Sequence, residues 1–335
     1  SPFNDHPIGS GPFSFKSWQR DAELVLEANP LYFRGKPKID ELHVQFIPDS
    51  GTLAVKVRAG ELEYAPSVPA TAVDAIRAAG RMRVTEAPTT SLTYLAYRID
   101  AGPFRDLRLR RALALAIDRT AVAQKAALGY AEPAAELVPP WLTFATMRVP
   151  PQQELGAARA LLNGQHPHLV MTTIAGSRAL LATSILLQAA WKAIGADVEL
   201  RPLQGNVIFA PDGVGVRGDF TFMLIGYGFA ADADRSIFLS SHSIPPAGTN
   251  YARYRNAEVD RAIVTAQTTL DAAARRKAFA TIAHRVATDV PYVPIVWARR
   301  ISAVATNLAG VRAETVNSDF WNVYDWRLVT ASRAP

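Results

Sequence analysis

Apolar and polar residues alternate through the first fifty positions in the pattern of short strands. Apolar side chains recur at 13–18, 23–27 and 39–47, and turn residues separate the three runs. A period of two is typical of a half-buried strand. The apolar residues of 53–57 instead share one helix face, and Gly60 is a typical C-terminal stop. The sequence therefore predicts a β-β-β-α start that contains no catalytic group.

The period changes after residue 103, where helical and strand patterns begin to alternate. Asp106 is a plausible N-cap for a helix that continues to about 128 and ends at Gly129. The other predicted helices cover 68–79, 153–162, 180–194, 257–270 and 271–288, and the strands cover 90–99, 169–173, 198–203, 220–225 and 293–304. This β-α-β order predicts an α/β domain with a central sheet.

Composition limits the class of protein. The chain has 335 residues, of which 49% are hydrophobic, so it can bury a substantial core and is long enough for two domains. No apolar run approaches the length of a membrane span. The absence of cysteine excludes disulfides and thiolate sites. The net charge of +6 is scattered, and its densest run, 105–111, is best interpreted as a solvated helix face, so no nucleic-acid partner is predicted.

The sequence offers no coherent set of catalytic residues. The glycines of 213–218 fit a dinucleotide-binding expression, but they precede a strand and do not link a strand to a helix. His166 and His168 flank a proline in a predicted surface loop. No nucleophile motif is present. We therefore predict a protein that is not an enzyme and has no cofactor or metal site.

One segment has the composition of a ligand platform. The buried strand at 220–225 ends in two glycines, with aromatic residues beside them and acids beyond. Such an end offers backbone N–H and C=O groups, aromatic faces and carboxylates to a solute. A plain strand-to-loop turn with solvated acids is the alternative. The candidate ligand-binding residues are Gly226, Tyr227, Gly228, Phe229, Asp232 and Asp234.

Several motifs together resemble one family. They are G-S-G-P-F from Gly9, F-R-D-L-R-L-R-R-A-L-A-L-A-I-D-R from Phe104, G-Y-A-E-P-A from Gly129, G-D-F-T-F-M-L-I-G-Y-G from Gly218 and V-P-I-V-W from Val293. In this order they resemble the extracellular solute-binding proteins of family 5, the peptide- and nickel-binding components of ABC transporters. The resemblance implies an α/β fold of the type II periplasmic binding proteins, in which two hinge strands join two lobes.

The resemblance also implies domain boundaries. Residues 1–97 and 296–335 would form the first lobe and 98–295 the second, with hinge strands at 95–99 and 295–297. Family members normally begin with a long segment before G-S-G-P-F, so we expect the first lobe to be incomplete, to expose apolar surface and to self-associate.

Further candidate residues follow from the same alignment. Tyr94, Tyr97 and Trp297 would line the ligand site, although strand aromatics are equally often core residues. Peptide-binding relatives present G-W-x-x-D at the strand end, where the Asp holds the α-ammonium group of the peptide. Here Tyr227 takes the Trp position and Ala230 falls at the Asp position, so Asp232 would have to substitute for that Asp.

The function implied is that of an exported, periplasmic or cell-surface component of an ABC importer. It would capture a peptide or a similar small solute and deliver it to the permease in the inner membrane. Nickel chelates, opines and oligosaccharides are alternative ligands. A regulatory or chaperone-like module, or a hydrolase, are the alternatives from other classes.

Overall fold

The computed structural model describes residues 7–312 and 319–329, and the chain divides into two compact units. Unit 1 comprises Ser1–Pro88 and Arg300–Pro335, and unit 2 comprises Thr89–Arg299. The chain passes between units inside two long strands, β5 (Met82–Tyr97) and β10 (Tyr292–Ala305). The hinge at 95–99 and 295–297 stays a prediction.

Unit 1 begins with the predicted strands and helix. Strands β1 (Phe13–Gln19), β2 (Glu23–Ala28) and β3 (Glu41–Gln45) form an antiparallel sheet in that order. Helix α1 (Ser50–Ala59) begins where the Asp49 carboxylate accepts a hydrogen bond from Thr52 N, and it ends at Gly60 in the left-handed conformation (φ 72°). The β-β-β-α prediction is confirmed.

The remaining elements follow in chain order. The other strands are β4 (Tyr64–Ala65), β6 (Ala131–Pro133), β7 (His168–Ile174), β8 (Asp197–Leu203), β9 (Phe222–Gly228), β11 (Leu308–Ala309) and β12 (Arg327–Leu328). The other α-helices are α2 (Val73–Ala79), α3 (Leu107–Leu115), α4 (Arg119–Ala121), α5 (Leu155–Leu162), α6 (Arg178–Ala193), α7 (Gly205–Phe209), α8 (Val214–Arg217), α9 (Ser236–Leu239), α10 (Ala257–Thr268) and α11 (Ala272–Asp289). None of the helices in the described residues is long and apolar enough to cross a membrane.

A mixed sheet forms the centre of unit 2. Its strand order is β10-β5-β9-β7-β8, and β6 pairs with β10. Strands β5 and β9 are antiparallel, whereas β7 pairs in parallel with both β8 and β9. Parallel pairs require crossover connections, and α6 supplies the one between β7 and β8. The predicted α/β sheet is thereby confirmed.

Two hydrophobic clusters cover unit 2, and strand alternation divides β5 and β9 between them. Tyr94 and Met223 belong to one cluster, whereas Tyr97 and Phe222 belong to the other. Successive side chains of a strand point to opposite faces. The sheet is therefore buried on both faces.

Two predicted helices are divided in the structure. The Asp106 carboxylate caps α3 as predicted, but α3 ends at Leu115. The Asp118 carboxylate then accepts a hydrogen bond from Ala121 N and starts α4, which continues into a π-helix at Val122–Ala126. The Asp118 cap thus interrupts the helix that was predicted to continue to 128, and it starts a new helix after Leu115. The helix predicted at 68–79 likewise becomes a 3₁₀ turn at Ala70–Ala72 followed by α2.

Candidate functional site

The end of β9 has one strand edge that its neighbour leaves free. Gly226–Gly228 pair with Thr93–Ser91 of β5. On the other side, the pairing with β7 covers Phe222–Leu224 and ends there in the described part of the chain. An unpaired edge offers N–H and C=O groups to an added strand.

Neither glycine at this end is required by the backbone. Both Gly226 and Gly228 lack a positive φ. A Cβ on Gly228 would meet nothing within 4 Å, and one on Gly226 would have Leu92 O as its nearest neighbour, at 3.8 Å. The backbone conformation therefore does not require glycine at either position, and the missing side chains leave the backbone of the strand end uncovered.

The two aromatic residues of the segment are placed differently. Tyr227 is 38% exposed, whereas Phe229 is 6% exposed. The Tyr227 ring lies 5.1 Å from the Phe229 ring and 4.9 Å from the Phe238 ring, so it packs against two buried aromatic side chains. Phe229 is held by backbone hydrogen bonding to Thr90. Tyr227 is the ring that remains accessible to a solute.

The acids beyond the strand are engaged by neighbouring groups. Asp232 accepts a hydrogen bond from Asp234 N (2.8 Å) and forms an ion pair with Arg275 (3.1 Å). Asp234 accepts hydrogen bonds from Ser236 N and from Gln267 Nε2 (2.9 Å). Asp234 thus organises the loop that leads into α9, and the charge of the half-exposed Asp232 is offset by a guanidinium.

The aromatic residues expected beside the hinge strands lie inside unit 2. The Tyr97 ring stacks on Phe104 at 4.5 Å, and burial raises the pKa of its hydroxyl. Tyr94 packs against Phe238 and Tyr292 on the opposite face of the sheet, and burial raises its pKa as well. A spacing of three residues along a strand places them on different faces, so the structure does not bring both to one ligand surface.

Trp297 is also a core residue in this structure. Its side chain is fully buried, and its ring lies 6.1 Å from Trp141 and 6.3 Å from Phe229. It therefore supports Phe229 from the interior and presents no face to a solute. Of the predicted site residues, the structure brings Gly226, Tyr227 and Gly228 together at an accessible edge.

Sequence reasoning missed Arg235, which anchors the loop after β9. It is 4% exposed, and its Nε donates to Leu137 O (2.8 Å) while Nη1 donates to Asp232 O and Asp234 O. Its Cζ lies 4.1 Å from the centre of the Phe229 ring. Burial lowers its pKa to about 10. A basic residue after two acids is usually solvated, so nothing in the sequence indicated its burial.

Comparison with known proteins decides the family. Residues 1–250 match the pattern of the bacterial extracellular solute-binding proteins, family 5 (middle region). The chain belongs to this family. Its α/β fold is that of the type II periplasmic binding proteins, as the similarity to solved family structures shows.

Relatives of this family 5 chain include peptide- and nickel-binding proteins. The oligopeptide-binding protein AppA of Bacillus subtilis is 26% identical to this chain, over 96% of this chain and 62% of AppA's own length. The structure of AppA in complex with a nonapeptide matches with a TM-score of 0.78 at 25% identity. That match covers 97% of this chain and 67% of the AppA chain. A probable di/tripeptide-binding protein 5 of Pseudomonas aeruginosa is 32% identical over 78% of this chain and 50% of its own. NikZ of Campylobacter jejuni with Ni(L-His) shares the fold (TM-score 0.83, 19% identity, 98% of this chain and 70% of that one). The chain thus spans about half to two thirds of the length of these relatives.

Proposed function

We propose that this family 5 chain binds a peptide or a similar small solute by adding it as a strand to the free edge of β9. The observation that carries the proposal is the end of β9, where two glycines without a conformational role uncover the backbone beside the exposed Tyr227. Backbone pairing supplies affinity that is independent of solute sequence, and the aromatic ring supplies an apolar contact.

The chain binds its solute without transforming it, as a component of an ABC importer that is exported and delivers the solute to a permease. The family match and the peptide-binding relatives support this role. The sequence also lacks a nucleophile motif that could act on a bound peptide.

Recognition does not depend on the α-ammonium group of the peptide. Ala230 supplies no carboxylate at the position expected from the resemblance, and Arg275 offsets the charge of Asp232. An ammonium group placed beside Asp232 would have to compete with that ion pair. Backbone pairing along β9 therefore dominates the free energy of binding.

Isothermal titration calorimetry with a ligand panel tests the proposal. The panel contains dipeptides, tripeptides and oligopeptides, N-acetylated forms of each, a nickel–histidine chelate, an opine and an oligosaccharide. We expect saturable binding of peptides, with acetylation changing the Kd little. Tyr227→Ala should weaken binding by about 1–3 kcal/mol, as for an aromatic anchor, whereas the control Tyr130→Ala should not.

The panel also identifies the outcomes that contradict the proposal. Binding confined to the chelate, the opine or the oligosaccharide would assign another solute class to the chain. A peptide that binds equally well to wild type and Tyr227→Ala would place the site elsewhere. Peptide hydrolysis that co-purifies with the protein through successive purification steps would contradict a purely binding role.

A further inference from the structure

Unit 2 contains a cavity of about 290 Å³ that lies apart from the end of β9. It lies between α3 and α11, next to the 139–151 segment and the first residues of β10, and the described residues 226–229 are not part of its wall. A cavity of about 150 Å³ with apolar walls accommodates benzene. This cavity is about twice that size.

Apolar side chains form most of the cavity wall. They include Leu239 of α9, Ile263 of α10, and Phe279, Ile282 and Val286 of α11. All five of these side chains are buried in the protein. Atoms that line a void lack neighbours on one side and have lost the dispersion attraction of those contacts. An apolar molecule in the cavity restores that attraction.

Two of the charged side chains at the cavity, Glu136 and Arg119, form hydrogen bonds within the protein. The Glu136 carboxylate accepts hydrogen bonds from Thr146 N, Thr146 Oγ1 and Met147 N. Arg119 Nε donates to Pro294 O (2.9 Å). The carboxylate is therefore satisfied without a ligand, and the guanidinium is anchored to the backbone beside β10.

The charge of Arg235, a third charged side chain at the cavity, is balanced by neighbouring carboxylates. Burial lowers the pKa of Arg235 to about 10, and the carboxylates of Asp232, Asp234 and Glu136 oppose that shift. Its Nε and Nη1 donate to carbonyl oxygens of Leu137, Asp232 and Asp234, and in the described part of the chain its Nη2 has no surface that water can reach. Arg235 therefore offers a ligand neither a donor nor an unbalanced charge.

The 139–151 segment covers one side of the cavity and provides its entrance. The structure describes the whole segment, which contains no helix or strand. Phe144 and Met147 of this segment line the cavity and are only half-buried. The Phe144 ring packs against that of Phe279 at 5.1 Å. An irregular segment opens locally at a lower free energy than a helix or sheet, so a ligand can enter here while the core stays folded.

We propose that this cavity is a second binding site, for a neutral apolar molecule of about two fused rings, such as naphthalene. The apolar wall and the internally satisfied charges favour a neutral ligand over a charged one, which would lose its hydration without finding a partner. Phe144 and Phe279 supply aromatic contacts, and Ile282 and Val286 supply aliphatic ones. The site goes beyond the solute site at β9 and does not depend on it.

Fluorescence titration of the chain with naphthalene, 2-naphthoate and 2-naphthylmethylammonium tests the class of ligand. The three probes share one ring system and differ in charge. We expect naphthalene to bind with a Kd below about 200 µM, and at least about tenfold more tightly than either charged probe. Binding of a charged probe within about tenfold of naphthalene would overturn the neutral class. Absence of naphthalene binding up to about 200 µM would overturn the proposal as a whole.

A matched pair of alanine substitutions on α11 locates the site. Ala283 lines the cavity, whereas Ala280 lies on the exposed face of the same helix. Ala283→Leu should weaken naphthalene binding at least about tenfold by filling the cavity, and Ala280→Leu should leave it unchanged. Unfolding midpoints verify that both variants are folded. Unchanged naphthalene affinity in Ala283→Leu would contradict the assignment.

Two further variants keep the test decisive if Ala283→Leu does not fold. Ala114 of α3 lines the cavity from another wall, so Ala114→Leu should also weaken naphthalene binding at least about tenfold. Tyr227→Ala should leave naphthalene binding unchanged, because Tyr227 lies outside the cavity wall. Unchanged affinity in Ala114→Leu would contradict the proposal. Loss of binding in Tyr227→Ala would assign naphthalene to the end of β9 and would also overturn it.

Discussion

At the residue scale, two buried tyrosines of unit 2 differ in how their hydroxyl groups are satisfied. The Tyr97 hydroxyl has no hydrogen-bond partner among the described residues, whereas the Tyr292 hydroxyl donates to Phe238 O (3.0 Å) and accepts from Ala252 N. Tyr97→Phe should therefore leave the free energy of unfolding unchanged or raise it, and Tyr292→Phe should lower it by about 1–2 kcal/mol. Urea unfolding of both variants measures this, and equal losses would contradict the placement of Tyr97.

Glu136 should make the stability of unit 2 depend on pH. Burial raises the pKa of its carboxyl above the ordinary value of 4.5. The folded protein then retains a proton that the unfolded chain has lost, so the stability contributed by Glu136 is present below pH 4.5 and falls as pH rises towards the folded pKa. The difference in unfolding free energy between wild type and Glu136→Gln should fall over that interval. A difference that rises with pH would show that hydrogen bonds outweigh burial.

The sequence predicted which strands carry the aromatic residues, but it did not predict which aromatic rings are accessible to a solute. The strand at 90–99 was predictable from its apolar run, yet both faces of the sheet are covered, so Tyr94 and Tyr97 are equally buried. Burial of Arg235 was not predictable, because it depends on Leu137 O, which is distant in sequence. Tyr227 was predictable because two glycines flank it at the end of a buried strand.

At the element scale, we expect a side chain at the end of β9 to leave folding stability intact and to weaken peptide binding. A Cβ at Gly226 would lie 3.8 Å from its nearest neighbour, Leu92 O, and valine is a residue that suits a strand. The free energy of unfolding of Gly226→Val should therefore be unchanged or higher. Peptide binding should weaken at least about tenfold, since the side chain covers the backbone edge. Calorimetry and urea unfolding of the variant test both expectations.

A helix glycine provides the control for this element. Gly156→Ala on α5 should raise stability by up to about 1 kcal/mol and leave peptide affinity unchanged. Unchanged affinity in Gly226→Val would show that the strand edge does not contact the solute. Loss of stability in Gly226→Val would show that this glycine has a structural role.

Element boundaries were predictable where a cap is local and unique. Asp106 and Gly60 act as predicted because their hydrogen bonds lie within one turn of the helix. The break after Leu115 was missed because Asp118 lies inside an apolar pattern that continues to 128. Its capping bond competes with the helix, and periodicity alone cannot rank the two.

At the scale of the whole molecule, unit 1 exposes apolar side chains that could mediate self-association. Leu31 is 90% exposed and Phe33 is 82% exposed. Burying them between copies would remove apolar surface from water. We expect the chain to sediment partly as dimers or larger species, and Leu31→Ser with Phe33→Ser to reduce that fraction.

Leu270 on unit 2 provides the control for self-association. It is fully exposed, but it lies in the turn between α10 and α11. Leu270→Ser should leave the sedimentation profile unchanged. A monomeric wild type, or an equal effect of the Leu270 variant, would contradict association through unit 1.

Amide hydrogen exchange at the end of β9 tests the central claim most directly. The measurement compares exchange across 222–229 in the free chain and in the chain saturated with the tightest peptide of the panel. We predict slower exchange of the Gly226 and Gly228 N–H groups with peptide bound. These two groups point to the free edge, whereas the N–H groups of 225, 227 and 229 point to β5. A peptide that binds while exchange at Gly226 and Gly228 stays unchanged and slows elsewhere would contradict the account.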